Sequence, residues 1–161
     1  MILRVPFYVQ KDRMDCGPTA LQMVLEFLDK EYSREKLISL VDSDFSGVTQ
    51  TVALAVAAAK LGFKTEFYTK SLEITPENYK LDFYKKEADS LSDSQDRSNK
   101  LLNEAKKLGV KLEQKTLNIH DILSKIGDKC LAIVLLDWSK IKKTDKFIGH
   151  FVPIIGYDKE N

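Results

Sequence analysis

Apolar residues recur along this chain in two rhythms, and the switches between them mark out its elements. Ala20, Leu21, Met23, Val24, Leu25, Phe27 and Leu28 fall at three- and four-residue intervals, the period of a helix with one buried face. They predict a first helix from Cys16 to Lys30, with Asp15 as N-cap and Pro18 in the first turn, where a missing N–H costs nothing. Leu37, Ile38, Leu40 and Val41 give a short second helix, opened by Ser33 in an imperfect capping box with Lys36. Phe45-Ser46-Gly47 reads as a turn. Val48 to Leu61, rich in alanine, is a third helix with Gly62 as its C-terminal stop. Phe63 to Tyr68 then alternates as a strand.

The pattern is weakest over residues 70–95. Thr75-Pro76-Glu77 offers a helix start, Tyr79, Phe83 and Tyr84 an apolar stripe, and Ser90 to Ser94 a loop. Asp96 to Leu108 predicts a strong helix ended by Gly109, followed by a short strand from Val110 to Gln114. Asn118 caps a small helix carrying Ile119, Ile122, Leu123 and Ile126, which stops at Gly127. Cys130 to Trp138 is a near-continuous apolar run, as expected of a central strand. Ser139 to Phe147 reads as a basic loop and His150 to Tyr157 as the last strand. Residues 2–9 predict a short strand broken at Pro6. Lys-Leu-Gly occurs at 60–62 and 107–109, two copies of a common junction rather than a repeat.

Predicted helices and strands both recur along the chain. At 161 residues the chain reads as a single domain, 1–161, able to bury a real core. Its net charge of +1 gives no reason to expect nucleic acid or an acidic membrane as partner. The start is too soon broken for a signal peptide, and no apolar run reaches the length of a membrane span. Two cysteines make no disulfide framework, so a reducing cytoplasm is the expected compartment.

The chemistry concentrates at two places. Cys16 sits at a helix start, over unpaired N–H groups and the positive end of the helix dipole, the setting in which a thiol becomes a nucleophile. Gly17 is expected to leave open space beside the sulfur. Far downstream, Gly149-His150-Phe151 places an imidazole at the start of a strand. A helix-borne cysteine and a distant histidine are the two parts of a thiol acyl-transfer site. Gln10 is a candidate oxyanion donor through its side-chain amide, beside the backbone N–H of Cys16. Cys130, opening an apolar strand, reads as core, and His120 as a surface residue. Lysines 140, 142, 143 and 146 read as a solvated loop. No Cys/His spacing suggests zinc and no glycine-rich loop suggests phosphate, so neither metal nor cofactor is expected.

Gln10, Asp15-Cys16-Gly17-Pro18 and Gly149-His150-Phe151, with the Val5-Pro6-Phe7-Tyr8 lead-in, resemble the C39 and C39-like cysteine peptidases. Lys60-Leu61-Gly62-Phe63, Phe67-Tyr68-Thr69, the charged helical stretch after Asp96, and Ala132-Ile133-Val134-Leu135 look like one branch of that scaffold, the proteins named guanylyl cyclase domain-containing. The resemblance implies an α+β, papain-like fold, with an N-terminal helix carrying Cys16 packed on an antiparallel sheet carrying His150. It also implies an Asp or Asn that orients the histidine and further strands past the last one here, so the chain reads as truncated at Asn161. Asp158 lies about 26 Å from His150 on an extended strand at ~3.3 Å per residue. Asp137 is the better internal candidate, provided 130–138 and 148–157 pair as a hairpin.

Three function classes follow. The favoured one is a thiol peptidase or amidase acting on a peptide or protein substrate, with Cys16 as nucleophile, His150 as base, and Gln10 and Asp137 in support. The second is a nucleotidyl cyclase, implied by the branch name alone. Such chemistry ordinarily uses carboxylates that hold metal ions, for which Asp42 and Asp44 are a thin basis. The third is an inactive domain of the same scaffold that binds peptides or a partner. Oligomeric state is not legible.

Overall fold

The computed structural model describes residues 2–41 and 48–158. The turn expected at Phe45-Ser46-Gly47, and Asp42 and Asp44, lie outside the described residues.

Helix α1 (Cys16–Phe27) turns Ala20, Leu21, Met23, Val24 and Leu25 inward, the face its periodicity predicts. Ser33 caps α2 (Arg34–Leu40) by accepting from the Lys36 N–H, and Leu37 is its buried anchor. Helix α3 (Thr51–Lys60) buries every residue from Val52 to Ala57. A helix apolar on all sides belongs in the middle of a core, and α3 packs against α1, α2, α5 and β1. Leu21, Leu25, Leu37, Val41 and Val56 are fully enclosed there.

The two Lys-Leu-Gly junctions do the same mechanical work. Gly62 and Gly109 take φ of +90° and +75°, left-handed values that end α3 and α5 (Leu91–Lys107) and turn the chain into β1 (Glu66–Thr69) and β2 (Lys111–Gln114). These strands pair in parallel, Glu66 opposite Lys111 through Thr69 opposite Gln114. Helix α5 is the crossover between them and lies on α3. Between β1 and α5 stand a single 3₁₀ turn (Asn78–Lys80) and α4 (Asp82–Glu87). Ser90 to Ser94 is not the expected loop, because Ser90 accepts from the Asp93 N–H and so starts α5 five residues earlier than the apolar pattern suggests.

Helix α6 (Ile119–Leu123) opens with a full capping box between Asn118 and Asp121. Strands β3 (Ala132–Asp137) and β4 (Gly149–Ile154) form an antiparallel hairpin, Leu136 opposite His150 and Asp137 opposite Gly149. The second layer of contact is α1 lying on β4. The class is therefore mixed α+β with two short, two-stranded sheets.

Several expectations change. Cys130–Trp138 is not a central strand: β3 is half-exposed and has β4 as its one partner among the described residues. Cys130 is exposed rather than core, because it closes a two-residue turn with Gly127 before the strand begins. Residues 2–9 form no strand beyond a bridge from Ile2 to Gly156 and a Leu3 N–H bond to the Ile155 carbonyl (2.8 Å). Pro6 has no N–H to continue that pairing. The basic loop after Trp138 begins as a short helix, α7 (Trp138–Lys142), stopped by Lys143 in the left-handed region. No described helix is long and apolar enough to cross a membrane.

Candidate functional site

Cys16 is the first residue of α1 and His150 the second of β4, so the packing of α1 on β4 sets how the two are brought together. Both line one cleft of about 1470 Å³, together with Gln10, Thr49 and Trp138. Its far wall is the segment between β1 and α5, including Phe83 and Tyr84 of α4. Cys16 is a half-buried free thiol.

The turn before Cys16 is braced. Asp15 occupies the N-cap position but makes no side-chain cap bond. Its carboxylate instead accepts from the Asp12 N–H (3.1 Å) and pairs with Arg34, which also holds Asp12 (2.9 Å). Gln10 Nε2 donates to the carbonyls of Asp12 (2.9 Å) and Arg13 (3.2 Å). Both amide hydrogens are thus engaged in the turn, and Gln10 stabilises an oxyanion only after releasing one of them. The space beside Gly17 is not open. A Cβ there would meet Thr49 Cγ2 at 3.1 Å and Oγ1 at 3.2 Å, so the glycine lets Thr49 close against α1.

Burial, and then the nearby positive charge of Lys142, push the His150 imidazole below its ordinary pKa of 6.5. The neutral ring, able to accept a proton, is therefore its form at neutral pH. The Trp138 ring lies 4.8 Å from it, centroid to centroid, with the planes at 49°.

Asp137 is at the same end of the hairpin as His150, but it does not line the cleft and does not bond to the imidazole. Its Oδ1 accepts from the Ser139 hydroxyl (2.6 Å), the Ser139 N–H (3.1 Å) and the Ile148 N–H (3.3 Å). The Ser139 hydroxyl, with these backbone N–H groups, holds the carboxyl below its ordinary pKa. Opposite Gly149, its side chain alternates to the other face of the ribbon from Leu136 and His150. The carboxylate caps α7 rather than orienting the ring. Among the described residues no group of three or more His, Cys, Asp or Glu is placed to hold a metal.

Sequence reading assigned no role to Trp138 or Thr49, and it showed Phe83 and Tyr84 as an apolar stripe without their partner Phe147 or their place at the cleft. Phe83 and Phe147 meet edge to face at 5.7 Å, and Tyr84 stacks on Phe147 at 6.0 Å. Trp138 is the lone tryptophan, and its place at the end of an apolar run was the one available signal.

No solved structure matches this chain. The family model described as guanylylate cyclase matches it over residues 5–161, from before Gln10 to beyond β4. With nearly its whole length covered, site and core alike, the chain belongs to the guanylylate cyclase family.

Proposed function

We propose that the cleft bearing Cys16 and His150 is the reaction site, and that its chemistry is thiol acyl transfer on a papain-like scaffold. One observation carries this reading: a half-buried free thiol at the start of a 12-residue helix lines the same cleft as an imidazole on the strand packed against that helix. His150 takes the Cys16 proton, and the sulfur attacks the carbonyl carbon of an amide, forming a C–S bond. The Cys16 backbone N–H meets the oxyanion, joined by Gln10 once its amide leaves the turn. As the C–N bond breaks, His150 returns the proton to the departing amine. Water then attacks the thioester, restoring the thiol and releasing a carboxylic acid. The substrate on this reading is a peptide or protein, and a reducing cytoplasm would keep the thiol usable.

The family match favours a second reading, because it names a cyclase and not a peptidase. In that chemistry the 3′-hydroxyl of GTP attacks the α-phosphorus and pyrophosphate leaves. Neutral His150 could accept the hydroxyl proton, and Lys86, Lys142 and Lys146 line the same cleft as cations for phosphate. Among the described residues no metal-binding carboxylate set accompanies them, so this reading assigns no metal ligands.

One panel separates the two. Wild type, Cys16→Ser and His150→Ala would each be given a peptide library read by mass spectrometry. In parallel each would be given GTP with magnesium or manganese, read for cyclic nucleotide. Cleavage abolished by both substitutions supports the thiol reading. A cyclic product that survives Cys16→Ser overturns it in favour of the cyclase. No product from either substrate overturns both and leaves a binding domain.

A further inference from the structure

His150 has no hydrogen-bonded partner for its ring among the described residues, yet it occupies a defined place in the cleft. We propose that Trp138 is the positioning residue of His150, and that Asp137 acts on the imidazole only through Trp138. The inference rests on reading His150 as the proton acceptor of the site.

The backbone at Trp138 is held by one bond of its own and by three to the neighbouring Asp137 carboxylate. Its own N–H donates to the Ile148 carbonyl (2.8 Å), two residues before His150. The Asp137 carboxylate accepts from the Ile148 N–H and from Ser139, binding the residues on either side of that link. The Ser139 side chain, almost fully buried, also donates its hydroxyl to Asp137. These bonds fix where α7 starts, and the first side chain of α7 is the indole that lies against His150. A flat ring held at 4.8 Å restricts imidazole rotation and keeps water from one side of it. A directly bonded carboxylate would do something different, since it would stabilise the charged imidazolium.

That difference has a sign, and the chain's two histidines make it readable by NMR, with His120 as the internal control. Lys142 on α7 is the charged group whose field acts on His150. Arg13 just before α1, Cys16 at its start, Asp82, Lys86 and Glu87 on α4, and Asp145 and Lys146 before β4 are among the titratable and charged groups lining the same cleft, and all are unchanged in the variants. Titration of the imidazole Cε1–H would be followed in Trp138→Ala, Trp138→Phe, Asp137→Ala and Asp137→Asn. Trp138→Ala admits water and moves the His150 midpoint up toward 6.5, while Trp138→Phe leaves it near wild type. Asp137→Ala frees α7 and also moves it up. Asp137→Asn keeps an oxygen acceptor for the same donors and restores the wild-type midpoint. A downward movement in Asp137→Ala or Asp137→Asn would mean the carboxylate acts on the ring directly, and would overturn the proposal. No movement in Trp138→Ala would also overturn it. If Trp138→Ala does not fold, Trp138→Phe and Asp137→Ala decide by the same signs. The titration needs no activity, so this inference and the assignment of His150 as a base can fail separately.

Discussion

Arg13 and Glu87 form an ion pair across the cleft, joining the turn that precedes Cys16 to the end of α4. From the same helix, Phe83 and Tyr84 pack on Phe147, which stands three residues before His150. The wall between β1 and α5 is therefore fastened on both sides of the site. The Arg13 side is weak, since its side chain is 71% exposed and such pairs contribute about 0.5 kcal/mol. The aromatic side is stronger, at about 1 kcal/mol per ring contact. Phe147→Ala, which loses both ring contacts, should therefore speed modification of Cys16 by a bulky maleimide by about thirtyfold, and Arg13→Ala by about twofold. Cys130 must be replaced by Ser in both, because it is exposed and reacts too. Equal rates in wild type and Phe147→Ala would mean that α4 does not control access.

Arg34 secures the turn from the other side, bridging Asp12 and Asp15. The Asp15 side chain is only 12% exposed, so removing its cation strands a largely buried charge. Arg34→Ala should cost about 3 kcal/mol, and Arg34→Lys about 1 kcal/mol, since lysine keeps the charge but loses the planar fork. Urea unfolding at constant m-value would report it. A cost for Arg34→Ala within the error of wild type would make the bridge a surface contact.

Most helices were legible because their signals are local. The 3.6-residue period of α1, the Ser33 cap of α2 and the glycines after α3 and α5 each act within one turn of chain. The hairpin that carries His150 was legible as a pairing, but its depth was not. An apolar run cannot say how many strands flank it, although Pro153, opposite Ile133, marks a place where pairing beyond two strands is restricted. The site divides the same way. Cys16, Gln10 and His150 line one cleft, whereas Asp137 has the right end of the hairpin and the wrong face. A one-residue change of register decides that face, and composition carries no trace of it. Thr49 closing on Gly17, and Trp138 on His150, are contacts between distant segments that neither periodicity nor motif spacing encodes.

The Gly17–Thr49 contact can be tested by itself. Gly17→Ala would normally gain helix propensity, by about 1 kcal/mol in a helix interior. Here the new methyl presses on Thr49 at 3.1 Å, and overpacking costs about 1–3 kcal/mol. Gly17→Ala alone should therefore be destabilising or neutral. In a Thr49→Ala background, which removes the methyl and the hydroxyl but keeps the Cβ at 3.3 Å, the same change should cost less than it does alone. A double-mutant cycle reads the coupling as a difference in unfolding free energy. Zero coupling would place Thr49 away from Gly17 in solution.

Acid stability should carry the mark of Glu66. Lys125, reaching from just past α6, donates to its carboxylate at 2.9 Å, and Tyr68 donates at 2.6 Å. The Lys125 bond first, then Tyr68, hold the Glu66 carboxyl down at about 2, against an ordinary 4.5. As pH falls, the unfolded chain takes up this proton before the folded one does. The stabilising contribution is thus complete above pH 4.5 and is lost as pH passes down through about 2. Both partners are more than a third exposed or close to it, and solvent screening limits the contribution to below about 1 kcal/mol. Glu66→Gln removes the titration while keeping the shape. The gap in urea midpoint between wild type and Glu66→Gln should therefore be constant from pH 7 to 5 and close between 4.5 and 2. Lys125→Met should remove the larger part of the same gap, because the cation is the larger cause of the shift and Tyr68 remains. If wild type and Glu66→Gln lose stability in parallel throughout, the Lys125–Glu66 link between α6 and β1 is not holding in the folded chain.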